Sequence, residues 1–298
     1  MIKKLDQVIS KVKSIQTMKL AVASAQDEEV LKAVFDARKK GIIEPILVGD
    51  TEKIKEIVKE LNENIEGIEL IEAKELKESA EIAVKLVSSK KADFVMKGLI
   101  DTSILLKEVL NKEYGLRTES LLSHVMVYEL PSYHKLLILT DGGMNISPNL
   151  DQKYKIMNNA IQVGKSLELE TVKGACIAAK EKVSDKMVAT VDADQLSKME
   201  YGEGVIVEGP LAFDLAISKE AAKIKNFNSE VAGDADIMLV PTIEVGNGIG
   251  KALTYMADGK SAGIIMGAKA PVVLVSRADT HESKLYSIAI GALIANNK

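Results

Sequence analysis

The residues best suited to chemistry lie near the carboxyl end of the chain, at positions 271–284, whose sequence is PVVLVSRADTHESK. A β-branched run at 272–275 predicts a short, buried strand. Ser276 and Arg277 follow it, and an apolar stripe of helical period begins at Leu285. A hydroxyl and a guanidinium are therefore expected between a strand end and a helix start. Open α/β sheets bind ligands at such places, and the local field favours an anion.

Arg277 is unusual because only three of the 39 basic residues in this chain are arginines. A guanidinium can hold a phosphate through two parallel hydrogen bonds, whereas the lysine ammonium acts as a point charge. Arg117 is the second candidate of this kind. Pairing with a surface carboxylate is the alternative role for Arg277. Asp279 and Glu282 fit D-x-x-E, a variant of the helix capping box, so both carboxylates also have a structural explanation.

The composition is that of a soluble cytoplasmic protein. The 298 residues carry a net charge of −4 with both signs dispersed, which argues against nucleic acid as a partner. No apolar run is long enough for a membrane span, and no signal peptide is expected. The single cysteine, Cys176, excludes an intrachain disulfide framework and suits a reducing compartment. We expect Cys176 to be a buried structural thiol rather than a nucleophile.

Strands and helices alternate along the chain, beginning with an amphipathic helix at 5–15. This alternation predicts an α/β fold with mostly parallel sheets covered by helices and with right-handed crossovers. A turn-rich break at 141–148 marks an expected crossing between two domains, and a second crossing is expected at 267–271. The predicted domains are 1–144 with 268–298, and 145–267.

Two further stretches could bind an anion next to a strand end. Lys97 closes a predicted strand, and Thr102 is an N-cap candidate of the following helix. Residues 246–251, GNGIGK, resemble a phosphate-cradling turn, although their spacing fits neither the dinucleotide fingerprint nor the P-loop. A solvated lysine and a tight structural turn are the alternatives. The histidines share no metal-ligand spacing, so no metal site is expected, and His281 is kept as a proton-handling candidate.

Several stretches, taken in order, resemble the phosphate acetyltransferase/butyryltransferase family over nearly the whole chain. They are GLRTESLLSHV at 115–125, TDGGMNISP at 140–148, EGPLAFDLA at 208–216, VAGDAD at 231–236, PTIEVGNGIGK at 241–251 and SRAD at 276–279. The resemblance implies a two-domain, isocitrate/isopropylmalate-dehydrogenase-like α/β fold with its active site in the interdomain cleft. It also implies the reaction acyl-CoA + phosphate ⇌ acyl phosphate + CoA. Butyryl is the expected acyl group, transferred by direct thiolate attack in a ternary complex.

The resemblance also assigns roles to residues. Ser276 and Arg277 match the family's pair that binds the phosphoryl end. Acetyltransferase members carry an aspartate as the proposed base for the CoA thiol, and the corresponding residue here is Ser283. Glu282 is therefore the first choice for that base, and His281 is the second. The expected phosphate- or acyl-phosphate-binding residues are Lys97, Arg117, Gly246, Asn247 and Lys251, and secondary substrate-binding candidates are Thr102, Ser123, Asp141 and Asn145.

The resemblance further implies that coenzyme A is a substrate and that no cofactor is tightly bound. The expected partners are acyl-CoA and phosphate, with neither nucleic acid nor a membrane involved. A homodimer or a larger homo-oligomer is also expected from the family.

Other functions stay open at this point. Phosphate acetyltransferase is the alternative within the family. A decarboxylating dehydrogenase would share the fold, but it needs a nicotinamide site and a metal held by carboxylates. Neither a complete dinucleotide fingerprint nor an acidic cluster is visible, and reduction of NAD with Mg²⁺ and hydroxy acids would indicate this class. A non-catalytic CoA- or nucleotide-binding regulator is the third possibility, which phosphate-dependent thiol release from butyryl-CoA would exclude.

Replacing Arg277 with alanine is expected to lower activity more than replacing Glu282. Removing one donor that stabilises developing charge typically costs on the order of 10²–10³ in rate. A free thiol has a pKa of about 8.5, so a base need supply only modest help near neutral pH. Steady-state rates of Arg277→Ala and Glu282→Ala, measured side by side, test this order. Wild-type kinetics and unchanged phosphate saturation in Arg277→Ala would refute the assignment.

Overall fold

A computed structural model describes residues 1–275 and 279–297. The chain forms two compact units: the first is Asp6–Ser120 with Ala262–Lys298, and the second is Met1–Leu5 with Leu121–Ser261. These units differ from the expected domain bounds because 121–144 groups with the second unit. The strand Leu137–Thr140 pairs with the strand Ile237–Leu239, which accounts for this grouping. In the described ranges, no helix is both long and apolar enough to cross a membrane.

Helices and strands alternate over most of the chain, as the sequence pattern predicts. In chain order they are α1 (Leu5–Val12), β1 (Met18–Ala23), α2 (Glu28–Lys39), β2 (Ile43–Gly49), α3 (Thr51–Glu60), β3 (Glu69–Glu72), α4 (Leu76–Ser88), β4 (Phe94–Lys97), α5 (Thr102–Val109), β5 (Ser123–Glu129), β6 (Leu137–Thr140), α6 (Leu150–Ser166), β7 (Val172–Ile177), α7 (Val188–Leu196), β8 (Val205–Leu211), α8 (Phe213–Ile217), α9 (Lys219–Ile224), β9 (Ile237–Leu239), α10 (Ile243–Tyr255), β10 (Lys260–Met266), β11 (Val272–Val273) and α11 (His281–Asn296).

The first unit is built on strands in the order β3-β2-β1-β4-β11-β10. All neighbouring pairs are parallel except β10 with β11. The side chains of β4 are all buried, as expected for a strand covered on both faces. Because β1 lies between β2 and β4, the order of the strands reverses at β1. The carboxyl ends of β1 and β4 therefore border the kind of crevice in which open α/β sheets bind ligands.

Helix α11 begins one residue later than the sequence pattern indicated. Its N-cap is Thr280, whose Oγ1 accepts a hydrogen bond from the Ser283 N–H at 3.1 Å. The predicted capping box of Asp279 and Glu282 is therefore wrong. Thr280 satisfies a free N–H of the first turn, and this leaves the Glu282 carboxylate without a capping role.

The second unit has the strand order β5-β6-β9-β7-β8. Strands β5 and β6 are antiparallel, and the remaining neighbours are parallel. Mostly parallel pairing in both units confirms the predicted α/β class. Helix α6 starts at a complete capping box formed by Asn149 and Gln152.

Residues 246–251 lie inside α10, so the predicted phosphate-cradling turn is wrong. Gly246 and Gly250 are four residues apart and thus on one face of the helix, and both are buried. A Cβ atom at Gly246 would lie 2.7 Å from Cα of Gly142. One at Gly250 would lie 2.9 Å from the hydroxyl of Tyr128. These glycines therefore allow the helix to approach its neighbours closely, rather than shaping a loop.

We expect Gly246→Ala to destabilise the protein and Gly248→Ala to leave it equally or more stable. The added methyl group of Gly246→Ala would overlap the backbone at Gly142, and overpacking of this kind typically costs about 1–3 kcal/mol. Gly248 lies in the same helix, with nothing within 4 Å of an added Cβ, so alanine there gains helix propensity. Urea unfolding midpoints measure both effects. Equal midpoints for the two variants would show that the close approach at Gly246 does not constrain the fold.

Candidate functional site

A cavity of about 120 Å³ lies in the first unit at the carboxyl ends of β1, β4 and β11. The residues that line it are Asp27, Glu29, Val30, Lys97, Gly98, Val275 and Lys284. A buried water needs roughly 10–15 Å³ of such space, so the cavity has room for several waters and hence for a small oxyanion. We call this space the first-unit cavity.

Among the predicted site residues that the structure describes, Lys97 lines the first-unit cavity. It ends β4, its side chain is 9% exposed, and its Nζ donates to the carbonyl oxygen of Gly98 at 3.3 Å. The backbone is close-packed here, because a Cβ at Gly98 would overlap the carbonyl oxygen of Ser24. The end of β4 is thus held against the end of β1, which fixes the origin of the Lys97 side chain.

Lys284 is a second lysine of the first-unit cavity, and sequence reasoning missed it. It lies in the first turn of α11, is 2% exposed, and donates from Nζ to the carbonyl oxygen of Asp279 at 2.5 Å. The sequence contained a signal. Lys284 precedes Ile288 by four residues, so it continues the apolar stripe and lies on the buried face of the helix.

The two carboxylates of the first-unit cavity have partners of their own. Asp27 is the N-cap of α2, and its Oδ1 accepts a hydrogen bond from the Val30 N–H at 2.9 Å. Glu29 pairs with Lys32 at 2.8 Å, and this hydrogen bond lowers the pKa of Glu29. Both carboxylates therefore have partners within α2, whereas Lys97 and Lys284 each donate to a backbone carbonyl oxygen.

The two arginine candidates differ in what the structure describes. Ser276 and Arg277 lie outside the described residues, and Val275, which precedes them, lines the first-unit cavity. Arg117 is exposed, on a segment tied to the connection between β10 and β11. The Leu116 carbonyl accepts from the Lys269 N–H at 2.8 Å, and the Thr118 hydroxyl donates to the carbonyl oxygen of Gly267 at 2.5 Å.

Both candidates for the general base lie in the first turn of α11 and already have protein partners. His281 Nε2 is 3.7 Å from the Asp36 carboxylate. The hydroxyl of Tyr286 lies 3.1 Å from Glu282 Oε1 and 2.7 Å from Asp6 Oδ1, within donating distance of both. Burial raises the pKa of Tyr286, and hydrogen bonds to the two carboxylates raise it further. The phenol therefore stays protonated and acts as a donor.

In the second unit, Asp141 organises the loop after β6. Its buried carboxylate accepts hydrogen bonds from the N–H groups of Gly143 and Met144 at 2.9 Å and from that of His124 at 3.1 Å. The side-chain amide of Asn145 donates to it at 2.6 Å. Asp141 and Asn145, both secondary substrate-binding candidates, thus bond to each other and to the backbone, and they position this loop.

Helix α10 brings two of the predicted phosphate-binding residues to the same loop. Gly246 packs on Gly142, and the amide of Asn247 donates to the Gly142 carbonyl oxygen at 3.3 Å. Lys251 lies four residues after Asn247, which places both exposed side chains on one face of the helix.

The remaining candidates have structural surroundings. Ser123 is buried, and its hydroxyl accepts from the amide of Asn159 at 2.8 Å. Thr102 is half-buried in the first turn of α5, whose N-cap is Asp101, so the predicted capping role of Thr102 is wrong.

Two predictions about chemistry concern a thiol and a metal. Cys176 is buried, which confirms that prediction, and burial raises the pKa of its thiol to about 12. Across 1–275 and 279–297, no three His, Cys, Asp or Glu side chains are grouped so that they could hold a metal ion.

Comparison with known proteins identifies the family. The profile of the family described as "Phosphate acetyl/butaryl transferase" matches residues 4–83 and 73–292. The phosphate butyryltransferase of Clostridium acetobutylicum is 49% identical over 301 residues, covering 100% of both chains. The crystal structure of a branched-chain phosphotransacylase from Enterococcus faecalis superimposes with a TM-score of 0.82 at 35% identity, covering 94% of this chain and 99% of that one.

A more distant structure bears on the fold alone. The 4-hydroxythreonine-4-phosphate dehydrogenase of Klebsiella pneumoniae matches with a TM-score of 0.58 at 12% identity, over 94% of this chain and 99% of that one. The predicted likeness to dehydrogenase folds is thus confirmed. Because the family profile extends over most of the sequence and a whole-length relative is 49% identical, the chain belongs to the phosphate acetyl/butyryl transferase family.

Proposed function

We propose that this protein transfers a short acyl group, butyryl in the first place, between coenzyme A and inorganic phosphate. The observation that carries the proposal is the 49% identity with a phosphate butyryltransferase over the full length of both chains. The branched-chain phosphotransacylase of similar structure supports the same chemistry and suggests isobutyryl as a further acyl group. An acetyl group is less favoured as the main substrate, although the family includes acetyl transfer.

The first-unit cavity supports the phosphate side of this reaction. Lys97 presents a cation at the end of a buried strand, and the sequence continues from Val275, which lines the same cavity, to Ser276 and Arg277. In our proposal the serine, the arginine and Lys97 hold the phosphoryl oxygens. Arg117, Asn247 and Lys251 belong to the proposed phosphate-binding set on the resemblance of their motifs, whereas Gly246 packs against Gly142 and is left out.

The proposed chemistry is direct transfer in a ternary complex. In the direction of acyl-CoA synthesis, the CoA thiolate attacks the carbonyl carbon of the acyl phosphate and forms a carbon–sulfur bond. The carbon–oxygen bond to phosphate then breaks, and phosphate leaves with the electron pair. Cationic and hydrogen-bonding groups stabilise the negative charge on the carbonyl oxygen and on the departing phosphate. Glu282 is the proposed base that takes the thiol proton, and His281 is the second choice.

The setting is part of the same proposal. The enzyme acts in the cytoplasm as a homodimer or a larger homo-oligomer, with acyl-CoA and phosphate as its partners and no tightly bound cofactor. The single cysteine, which is free and buried, supports a reducing compartment.

Replacing Cys176 with alanine is expected to leave the rate of acyl transfer within about twofold of wild type. A thiol whose pKa is raised to about 12 by burial is almost entirely protonated at neutral pH, and the thiolate is the nucleophile. A direct transfer has no need of it. The measurement is kcat for butyryl-CoA phosphorolysis, with the melting temperature as a check on folding. Loss of turnover in a folded Cys176→Ala protein would favour a covalent acyl-enzyme instead.

A panel of acyl-CoA substrates tests the proposed function and its acyl specificity. We expect thiol release from butyryl-CoA that depends on added phosphate, with kcat/KM for butyryl-CoA at least about tenfold above that for acetyl-CoA. Each methylene in an apolar pocket is worth about 1–3 kcal/mol, and butyryl has two more than acetyl. Propionyl- and isobutyryl-CoA complete the panel. A preference for acetyl-CoA would move the protein to the acetyl branch of its family, and thiol release that is independent of phosphate would overturn the proposal.

A further inference from the structure

We infer that Lys284, together with Lys97, forms a binding subsite for phosphoryl oxygens in the first-unit cavity. The inference deepens the proposed function and rests on it for the identity of the substrate. Lys284 lies outside every stretch on which the family resemblance was based. Its assignment depends on its burial and on the cavity it lines.

Burial of the Lys284 ammonium group has an energetic cost. Its side chain is 2% exposed, and an ammonium group has three N–H donors. In the described part of the chain, its Nζ donates to the Asp279 carbonyl oxygen at 2.5 Å and forms no ion pair, while the Glu29 carboxylate interacts with it only at longer range. A buried charge is costly unless it is paired, so the ammonium favours an anion in the cavity.

The wall of the first-unit cavity carries charged groups of both signs. Two of them are carboxylates, and each has a partner within α2: Asp27 accepts from the Val30 N–H, and Glu29 pairs with Lys32. Lys97, 9% exposed, brings the second ammonium to the same cavity. The imidazole of His281 lies 3.7 Å from the carboxylate of Asp36 and does not line the cavity. A space with two buried ammonium groups and about 120 Å³ of room suits a tetrahedral oxyanion.

Phosphoryl oxygens are the chemistry that fits, and both substrates of the proposed reaction carry them. Inorganic phosphate or the acyl phosphate would bring its own phosphoryl group, whereas CoA would bring its 3′-phosphate or its pyrophosphate. An ammonium acts as a point charge and does not require the planar two-bond geometry of a guanidinium. Lys284 is therefore expected to strengthen binding rather than to take part in bond making.

The test compares Lys284→Met with Lys39→Met in butyryl-CoA phosphorolysis. Methionine keeps the buried aliphatic volume and removes the charge. Lys39 is on α2, its side chain is 63% exposed, and it pairs with Glu63 on the surface, so its replacement controls for the same loss of charge. Loss of a charge-assisted hydrogen bond corresponds to about tenfold or more in affinity. We therefore expect one KM of Lys284→Met to rise about tenfold or more, with a smaller change in kcat. In Lys284→Arg, which keeps the charge, the same KM is expected to return part of the way to the wild-type value.

Which KM rises identifies the source of the phosphoryl group. A rise for phosphate alone places inorganic phosphate in the cavity. A rise for butyryl-CoA alone places a CoA phosphate there, and wild-type protein assayed with butyryl-3′-dephospho-CoA then distinguishes the 3′-phosphate from the pyrophosphate. If both KM values of a folded Lys284→Met protein stay within twofold of those of Lys39→Met, the inference is overturned. Should Lys284→Met fail to fold, Lys97→Met is judged by the same criterion.

A binding measurement separates this inference from the proposed function. Phosphate and CoA are each added to the wild-type protein at constant ionic strength, and the melting temperature is recorded. A rise that Lys284→Met lacks and Lys39→Met retains supports the subsite even if butyryl transfer is absent. If the enzyme is active but neither compound shifts the melting temperature in a Lys284-dependent way, and neither KM changes, the subsite is rejected. The proposed function is unaffected by that result.

Discussion

Parallel pairing around β4 is the constraint on which the first-unit cavity depends. This strand hydrogen-bonds to β1 on one side and to β11 on the other, with Met96 opposite both Val22 and Val273. Three strands that are far apart in the sequence therefore end at the same edge of the sheet. Lys97 ends the middle one. A register slip of one residue would turn its side chain to the other face of the sheet, so the position of the charge follows from the pairing.

The second unit positions its polar groups by a different means, namely direct contact between backbones. At the close approach of Gly142 and Gly246, neither residue has space for a side chain, and the amide of Asn247 bonds to the same loop. The Asp141 carboxylate holds that loop from within. In this region the two glycines and the buried Asp141 carboxylate hold the loop against α10. The residues able to contact a ligand are those on the exposed face of α10.

Local signals in the sequence predicted the alternation of helices and strands but misplaced the N-caps of α5 and α11 by one residue. The start of α6 carries a local signal, because Asn149 and Gln152 cap it within four residues. Strand β8 continues to Leu211 by pairing with β7, across a proline that an edge strand tolerates. Such pairing depends on partners distant in the sequence, which a local pattern does not contain.

The candidate site shows the same limit. A G-x-G-x-G spacing is compatible with both a turn and a helix. The burial of Gly246 and Gly250 decides between the two, and it depends on their contacts with Gly142 and Tyr128. Lys97 could be predicted from its place at a strand end. Lys284 could not be assigned to the same cavity, since its link to Lys97 arises from the packing of α11 near the end of β4.

The distribution of charged and reactive groups matches the demands of acyl transfer between two anionic substrates. In the proposed reaction coenzyme A supplies the sulfur nucleophile, so no activated thiol of the chain is required, and burial keeps the Cys176 thiol protonated by raising its pKa. What the substrates lack is positive charge to offset the phosphates and the developing oxyanion. In our proposal the buried Lys97 and Lys284 supply that charge, at a desolvation cost of several kcal/mol per ion. The lysines are desolvated when the chain folds around β4, before any ligand binds. The interaction gained on binding an anion therefore contributes to affinity and is not spent on ordering the site.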